Sequence, residues 1–407
     1  MPLMPVPEHL ADCLALAAPL PAETVSLTEA LGRALAAPVT SPVSLPGCAN
    51  SAMDGYAVHP QDLAQASGDN PTRLTVVDDL PAGRVRSSPF ARGEAVRIMT
   101  GACVPPGTGA VVQVERTDAG TDQVLVYSPV DPGESIRQVG EDVRAGEELL
   151  ASGAELTSRR IGLLAAAGVA HVQVHRAPRV LVLATGSELV EPGQALRPGQ
   201  LHESNAHLLQ AQVTSLGMQA VRPPIVPDEP EALAQVLQAH AGAVDLVLTS
   251  GGVSAGAYDT VKEVLSATGA VSFRKVAMQP GMPQGCGTVT ADGRTVPILT
   301  LPGNPVSTFV SFLVFATPVL RRLAGLTEPV GTIPAVASKG WRSPQGKVQY
   351  ARARLHTEGD MLRVAPVGGQ RSHLVADLAA SDALAIVPAE STQVDPGDIV
   401  HCLVLNR

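Results

Sequence analysis

Three stretches between residues 179 and 307 place glycine, hydroxyl and carboxylate side chains directly after a short apolar run. They are Arg179-Val-Leu-Val-Leu-Ala-Thr-Gly-Ser-Glu188, Asp245-Leu-Val-Leu-Thr-Ser-Gly-Gly-Val-Ser-Ala-Gly-Ala-Tyr-Asp259 and Val296-Pro-Ile-Leu-Thr-Leu-Pro-Gly-Asn-Pro-Val-Ser307. Glycine lets a backbone approach a ligand closely, and a helix start beyond the turn would aim free N–H groups at an anion. The bland reading of one such turn is a tight strand-to-helix corner that binds nothing. Three of them point to a site, because parallel strands carry their following loops to one edge of a sheet. Gly251, Gly252, Pro302, Gly303 and Pro305 are therefore candidate substrate-binding positions.

Acidic residues recur at the same edge: Glu188, Asp228 and Asp259. Carboxylates beside an anion cradle suit Mg²⁺, which binds through one or two acids plus water and substrate oxygens. Against this, each could cap a helix or face solvent, and Asp228, before Glu229-Pro230, is also an ordinary helix start. Lys275, at the end of Val271-Ser-Phe-Arg-Lys, could offset anionic charge, although a lone strand-end lysine is usually just solvated.

Gly252-Val-Ser-Ala-Gly256 also matches the nucleophile elbow of serine hydrolases, with Asp292 and His373 following in the required order around Ser254. His373 falls in a β-rich tail outside the α/β unit, and the doubled glycine fits backbone cradling better than a strained elbow. His171 and His175 share one face of a strand-like run with no third ligand nearby. No Gly-x-Gly-x-x-Gly follows a strand, and Gly346-Lys347 precedes Val, so dinucleotide and P-loop sites are excluded.

The elements that position these residues follow from composition. A chain of 407 residues predicts about two to four domains. Apolar residues make up 45%, enough for real cores, while aromatics at 2% and a net charge of −9 exclude a nucleic-acid binder with stacking platforms and a basic face. The five cysteines are odd in number and scattered, and read as reduced thiols of a cytoplasmic protein, not as a disulfide frame or zinc site. No signal peptide is evident, and no apolar run is read as long enough to span a membrane.

Residues 8–37 predict two short helices, the second starting at Thr28. From 45 to 144 short alternating runs predict a β domain; 157–168 predicts a capped helix that packs with the N-terminal ones, making the β domain an insertion into a discontinuous helical domain, 1–44 and 145–177. Residues 178–327 have the βα rhythm, with helices over 231–240, 261–268 and 306–320, and 328–407 reads as a small C-terminal β domain.

Beyond these turns stand Pro46-Gly-Cys-Ala-Asn-Ser-Ala-Met-Asp-Gly-Tyr-Ala57, Arg97-Ile-Met-Thr-Gly-Ala, Gly140-Glu-Asp-Val-Arg-Ala-Gly, Thr185-Gly-Ser-Glu-Leu, Thr249-Ser-Gly-Gly-Val-Ser and Leu301-Pro-Gly-Asn-Pro-Val-Ser. With them the chain closely resembles the MoeA family, which includes the gephyrin E domain, over nearly its whole length. The resemblance implies a multidomain α/β plus β fold: a central parallel α/β domain like that of MoaB and Mog, a helical domain with an inserted β domain, and a small C-terminal β-barrel-like domain.

It also implies a molybdopterin molybdenumtransferase, inserting molybdate into adenylylated molybdopterin with Mg²⁺ and releasing AMP. It implies a homodimer in which the α/β domain of one subunit faces the C-terminal β domain of the other, and a MogA-like adenylyltransferase as possible supplier. Asp54, Thr100, Glu188, Asp228, Asp259, Lys275, Pro302 and Pro305 match positions to which the family assigns function. Glu188 and Asp259 are expected to hold the metal, and Ser254 and Ser307 to contact molybdate. The chain departs from the pattern at Ser187, at Ala257-Tyr258 and at Gln279-Pro-Gly-Met-Pro283, where an acid, another acid and two lysines are often found. Altered anion choice, such as tungstate, or a catalytically weak scaffold of the same family are the alternatives these departures leave open.

Overall fold

The computed structural model describes residues 3–252, 260–267 and 270–405. Ser254, Gly256 and Asp259 lie outside these residues. Near the start, Val6–Ala15 forms helix α1, with no side-chain cap at Pro5. The second N-terminal helix expected from Thr28 is absent. The chain instead forms a strand over Ala22–Ser26, antiparallel to His171–His175, with Ala22 opposite His175 and Ser26 opposite His171. Long-range pairing has overridden local helical spacing, as tertiary context does with a weak propensity.

Helix α2, Ser158–Ala166, forms as its sequence predicts: the Thr157 hydroxyl accepts from the Arg160 N–H, and Gly168 ends the turn at φ +79°. It packs Leu164 on Ala30, Leu35, Val172 and Val174, so strands and turns of residues 22–40 are its partners. The α1 helix goes elsewhere, burying Val6, Cys13 and Ala17 in the core of the α/β domain. The β domain is inserted between the two halves, with Gly55–Val58 between Ala110–Gln113 and the central strand Glu94–Ile98 of a five-stranded sheet. A Cβ on Gly55 would meet the Val112 carbonyl at 1.9 Å, so the sheet can close there only around glycine.

The reading of all five cysteines as reduced thiols is corrected within this domain. Cys48 and Cys103 form a disulfide, their Cα atoms 5.8 Å apart across 55 residues. Asn50 bridges Cys103 in antiparallel pairing, which brings the two loops together in a way that sequence spacing does not reveal. Cys13, Cys286 and Cys402 are free and buried.

The α/β domain carries a six-stranded sheet in the order Gln219–Val221, Arg179–Ala184, Leu246–Ser250, Arg294–Leu301, Pro283–Ala291, Val271–Lys275. The first four strands are parallel; Pro283–Ala291 runs antiparallel to its neighbours. Helices α3 (Asn205–Ser215), α4 (Pro230–His240) and α5 (Thr260–Ala267) lie between strands. After the last strand come α6 (Pro305–Ser311), a π-helical stretch over Phe312–Ala316 and α7 (Thr317–Leu323).

Together these make one apolar run of 19 residues with mean hydropathy 1.4, long and apolar enough to cross a membrane, contrary to the sequence-based reading. Val306, Val310, Phe312, Phe315, Val319 and Leu320 are instead buried against the sheet, as a core helix requires. Helix α8, Val375–Ala379, belongs to the C-terminal domain. There Val348–Glu358, Met361–Pro366, Ile333–Ala337, Ile399–Val404 and Ala383–Val387 pair in a ring, closing a five-stranded barrel that has no free edge.

At the end of the sheet away from the glycine turns, Asp245 is 5% exposed. Its carboxylate accepts from both Arg176 terminal nitrogens, at 2.7 and 2.9 Å, and from the Arg179 N–H at 2.9 Å. Removing it would strip Arg176 of its carboxylate, leaving it the Ala177 carbonyl at 3.3 Å, and leave a strand-starting amide unpaired. Asp245→Ala is expected to lower the stability of the α/β domain by about 3 kcal/mol, read as an earlier midpoint in chemical denaturation.

Candidate active site

Strand register decides where the three glycine turns meet. Ala184 lies opposite Ser250, and Ser250 opposite Leu301, so the three strands end level with one another. The turns after them touch: a Cβ on Gly303 would come within 3.4 Å of the Gly251 Cα, and one on Gly251 within 3.7 Å of the Thr185 carbonyl. Gly251 and Gly252 hold φ of +92° and +74°, where side chains are strained. The first turn is tighter, since a Cβ on Gly186 would meet Glu188 Oε2 and Leu189 Cγ at 2.8 Å.

These turns wall a cavity of about 510 Å³, within the usual range for small-molecule sites. Gly186, Glu188, Asp228, Gly251, Gly252, Gly303 and Pro305 all line it. Helices α3 and α6 both begin there, placing the positive ends of their dipoles at its wall. Asn205 Nδ2 donates to the Gly303 carbonyl at 2.7 Å and ties the start of α3 to the third turn.

Asp228 does not cap α4; that position is Glu229, without a side-chain bond. Its carboxylate accepts from the Ser187 N–H at 3.0 Å, and the Ser187 hydroxyl accepts from the Asp228 N–H at 3.2 Å. This reciprocal pair fixes the first turn beside the cavity.

Sequence reasoning missed Glu203. It is 1% exposed and lines the cavity. One oxygen accepts from the Ala206 N–H at 2.7 Å at the start of α3, while Oε2 has no hydrogen-bond partner among the described residues. A buried carboxylate oxygen without a partner asks for a cation. Glu188 and Asp228 line the same cavity with the oxygen donors a hard cation such as Mg²⁺ takes, but among the described residues the three carboxylates do not converge within ligand spacing of one another. The only available signal for Glu203 was its position just before the Ser204-Asn205 helix start.

Arg352, also missed, is 1% exposed and donates to the carbonyls of Gly369, Arg371 and Leu374. It thereby holds the barrel loop that carries His373 to the cavity. His373 thus does approach the second glycine turn within one chain. Asp292 does not: it sits in the hairpin between Pro283–Ala291 and Arg294–Leu301, bonded to Gln238 Nε2, at the other end of the sheet. The seven residue steps from Arg294 to Leu301 span roughly 23 Å of strand, so the elbow's acid and histidine are not assembled.

A second cavity of about 610 Å³ adjoins the first, sharing Asn304 and His373. Ser307 lines this one instead, facing Gln279, Met282, Lys347 and Arg371. Its cations are therefore Lys347 and Arg371. Pro302 is buried behind the third turn, its carbonyl accepting from the Thr308 hydroxyl at 2.6 Å. Lys275 is exposed and lines neither cavity.

Asp54 and Thr100 also lie outside both cavities, paired with each other in the inserted domain. Asp54 Oδ1 accepts from the Thr100 N–H at 2.7 Å and from its hydroxyl at 2.8 Å. First the N–H and then the hydroxyl hold the Asp54 carboxyl below the usual carboxylate range. Of the two histidines on one strand, His171 is exposed and the His175 ring bonds the Leu20 carbonyl at 2.6 Å.

A level row of glycine turns, two helix starts and three carboxylates around one cavity define an α/β protein with a polar small-molecule site. Comparison with known proteins narrows the class. Residues 4–168 match the MoeA N-terminal region (domain I and II), 181–322 the probable molybdopterin binding domain, and 334–405 the MoeA C-terminal region (domain IV). A protein named molybdopterin molybdenumtransferase 2 from Mycobacterium tuberculosis is 44% identical over 92% of this chain and 93% of its own. Another, molybdopterin molybdenumtransferase from Nostoc sp., is 37% identical over 94% and 88%. The crystal structure of molybdopterin biosynthesis moeA protein from Pyrococcus horikoshii OT3 superposes with TM-score 0.83 at 28% identity, covering 99% of this chain and all of that one. The chain belongs to the MoeA family.

Two outcomes test this geometry. Asp228→Ala should expose the Ser187 amide, seen as faster hydrogen exchange at that turn with little change in the melting temperature. Because the Asp54 pKa is depressed on folding, its bond to Thr100 is fully present above the unfolded carboxylate value and is lost only as pH falls through the lower folded one. Carboxyl NMR of Asp54 should give a midpoint below about 3.9; a midpoint at that value contradicts the bond.

Proposed function

We propose that this chain is a molybdopterin molybdenumtransferase that inserts molybdate into adenylylated molybdopterin and releases AMP in molybdenum cofactor biosynthesis. The observation that carries the reading is the contact of the Thr185–Gly186, Gly251 and Gly303 turns around one carboxylate-ringed cavity. The names of the relatives point to the same reaction. The serine hydrolase and scaffold readings have no comparable observation behind them.

The substrates are anionic, and they repel one another when held close. Backbone N–H groups at the glycine turns and helix starts would offset that charge, and Lys347 and Arg371 would do so in the adjoining cavity. Glu188, with Asp228, Glu203 and Asp259 as companions, would hold Mg²⁺. The ion would supply electrostatic stabilisation of phosphate and oxyanion oxygens. Ser187 and Asp228 keep the first turn in place, and Arg352 keeps His373 at the mouth. Ser254 and Ser307 remain the proposed molybdate contacts.

Asp54, Thr100 and Lys275 stand away from the cavity of their own chain, and we assign them to a site completed by a second copy in a homodimer. The adenylylated pterin would come from a MogA-like adenylyltransferase in the cytoplasm. The Cys48–Cys103 disulfide is the one feature that argues for a more oxidising setting.

Molybdate-dependent AMP release from adenylylated molybdopterin tests the reading. Wild type should release AMP, and Glu188→Ala and Asp259→Ala should each be slower by about 100-fold or more, the scale of losing an electrostatic contact to the reacting centre. Normal turnover in Asp259→Ala rules out its role, and wild type with no release contradicts the assignment.

A further inference from the structure

His9 and Cys13 sit four residues apart on α1 and so share one face of it. Opposite them is Cys286, on the strand Pro283–Ala291. His9 is 1%, Cys13 0% and Cys286 6% exposed, and none lines either cavity described above. Their ligand-capable atoms all lie within 4.8 Å of one another, with His9 Nε2 3.7 Å from Cys13 Sγ. Zinc–sulfur and zinc–nitrogen bonds of about 2.3 and 2.0 Å put neighbouring ligand atoms about 3.6 Å apart around the ion, so that edge is already near its liganded length. The His9 ring stands edge-on to Phe315, centroids 4.8 Å apart, which fixes its plane. Its Nδ1 is buried with no hydrogen-bond partner among the described residues, so the ring is not explained as an ordinary hydrogen-bonded core histidine.

We propose that His9, Cys13 and Cys286 form a second metal site, selective for a thiophilic divalent cation of the Zn²⁺ type, which pins the N-terminal helix to the α/β sheet. Soft thiolate and imidazole donors without a carboxylate select against Mg²⁺ and Ca²⁺. Charge chooses among the soft cations. Binding releases the two thiol protons, and two thiolates with a neutral imidazole then exactly cancel a divalent ion, whereas Cu⁺ would leave a net negative charge in an apolar core. Three protein donors are fewer than the four of a closed structural site, so a strong chelator should remove the metal. The consequence for the fold is mechanical: α1 carries His9 and Cys13 against Cys286 in the same core as the sheet behind the glycine turns.

Co²⁺ titration into the reduced, chelator-treated full chain is the test, because a thiolate-to-cobalt charge-transfer band reports sulfur ligation directly. One equivalent should give that band, one equivalent of Zn²⁺ should abolish it, and Zn²⁺ should raise the melting temperature. Cys286→Ser and His9→Gln should weaken Co²⁺ binding by more than the 10- to 100-fold typical of losing an outer partner; Cys402→Ser, a buried thiol elsewhere, should not. The proposal is overturned by a wild-type chain that gives no band, by a band that survives Cys286→Ser, or by retention of Cu⁺ with no uptake of Zn²⁺ or Co²⁺. It is also overturned if peptide mapping finds Cys13 and Cys286 joined as a metal-free disulfide in freshly purified protein. The wild-type titration decides the matter even if a variant fails to fold.

Discussion

The level ending of three parallel strands is the constraint on which the rest depends. Ala184, Ser250 and Leu301 stand side by side because each strand sends alternate side chains into two different cores, and a slip of one residue would exchange them between the two. Once the ends are level, the following turns lie in van der Waals contact, and Gly251 and Gly252 turn the chain at φ of +92° and +74°. Gly251 and Gly303 lie against each other, and Gly186 lies under Glu188. Glycine is thus required at 251 and 252 by backbone conformation and at 186 by the Glu188 and Leu189 side chains over it, and the backbone left bare at the rim is what can meet an anion.

Around that rim the protein distributes charge unevenly. Carboxylates of Glu188, Glu203 and Asp228 border the first cavity, while Lys347 and Arg371 border the second, with Asn304 and His373 between them. The barrel contributes through one loop, held by Arg352 from inside, and Val306 N–H bonds the Ser372 carbonyl to lock that loop onto the start of α6. The far end of the sheet is closed by the Asp245 to Arg176 pair, so the two ends divide the work of stability and binding.

What was legible in the sequence was local. The Thr157 cap, the run of Arg294–Leu301 through its turn into the helix at Pro305 and the β texture on either side each depend on neighbours a few residues away, and each formed, whereas a pair of short strands, Leu189–Val190 and Leu201–His202, separates the first turn from its helix. What was not legible required distant partners. Cys48 meets Cys103 only because their loops pair; residues 22–26 became a strand only because His171–His175 offered an edge. Glu203 reads as an ordinary residue ahead of a helix until its unpartnered oxygen is seen in the cavity wall. Ser307 was placed in the right region but opens on the adjoining cavity, since it lies one helical turn beyond the Gly303 corner. The family likeness supplied Asp54 and Thr100, which no reading of the α/β turns could have singled out, and in one chain their side chains bond each other away from both cavities.

The most direct measurement is a crystal structure of the full chain soaked with molybdate and AMP. The account predicts oxyanion density within hydrogen-bonding distance of backbone N–H groups in the Gly186, Gly251 and Gly303 turns, with a metal ion beside Glu188. Ordered molybdate and AMP bound elsewhere, with that rim left to solvent, would contradict it.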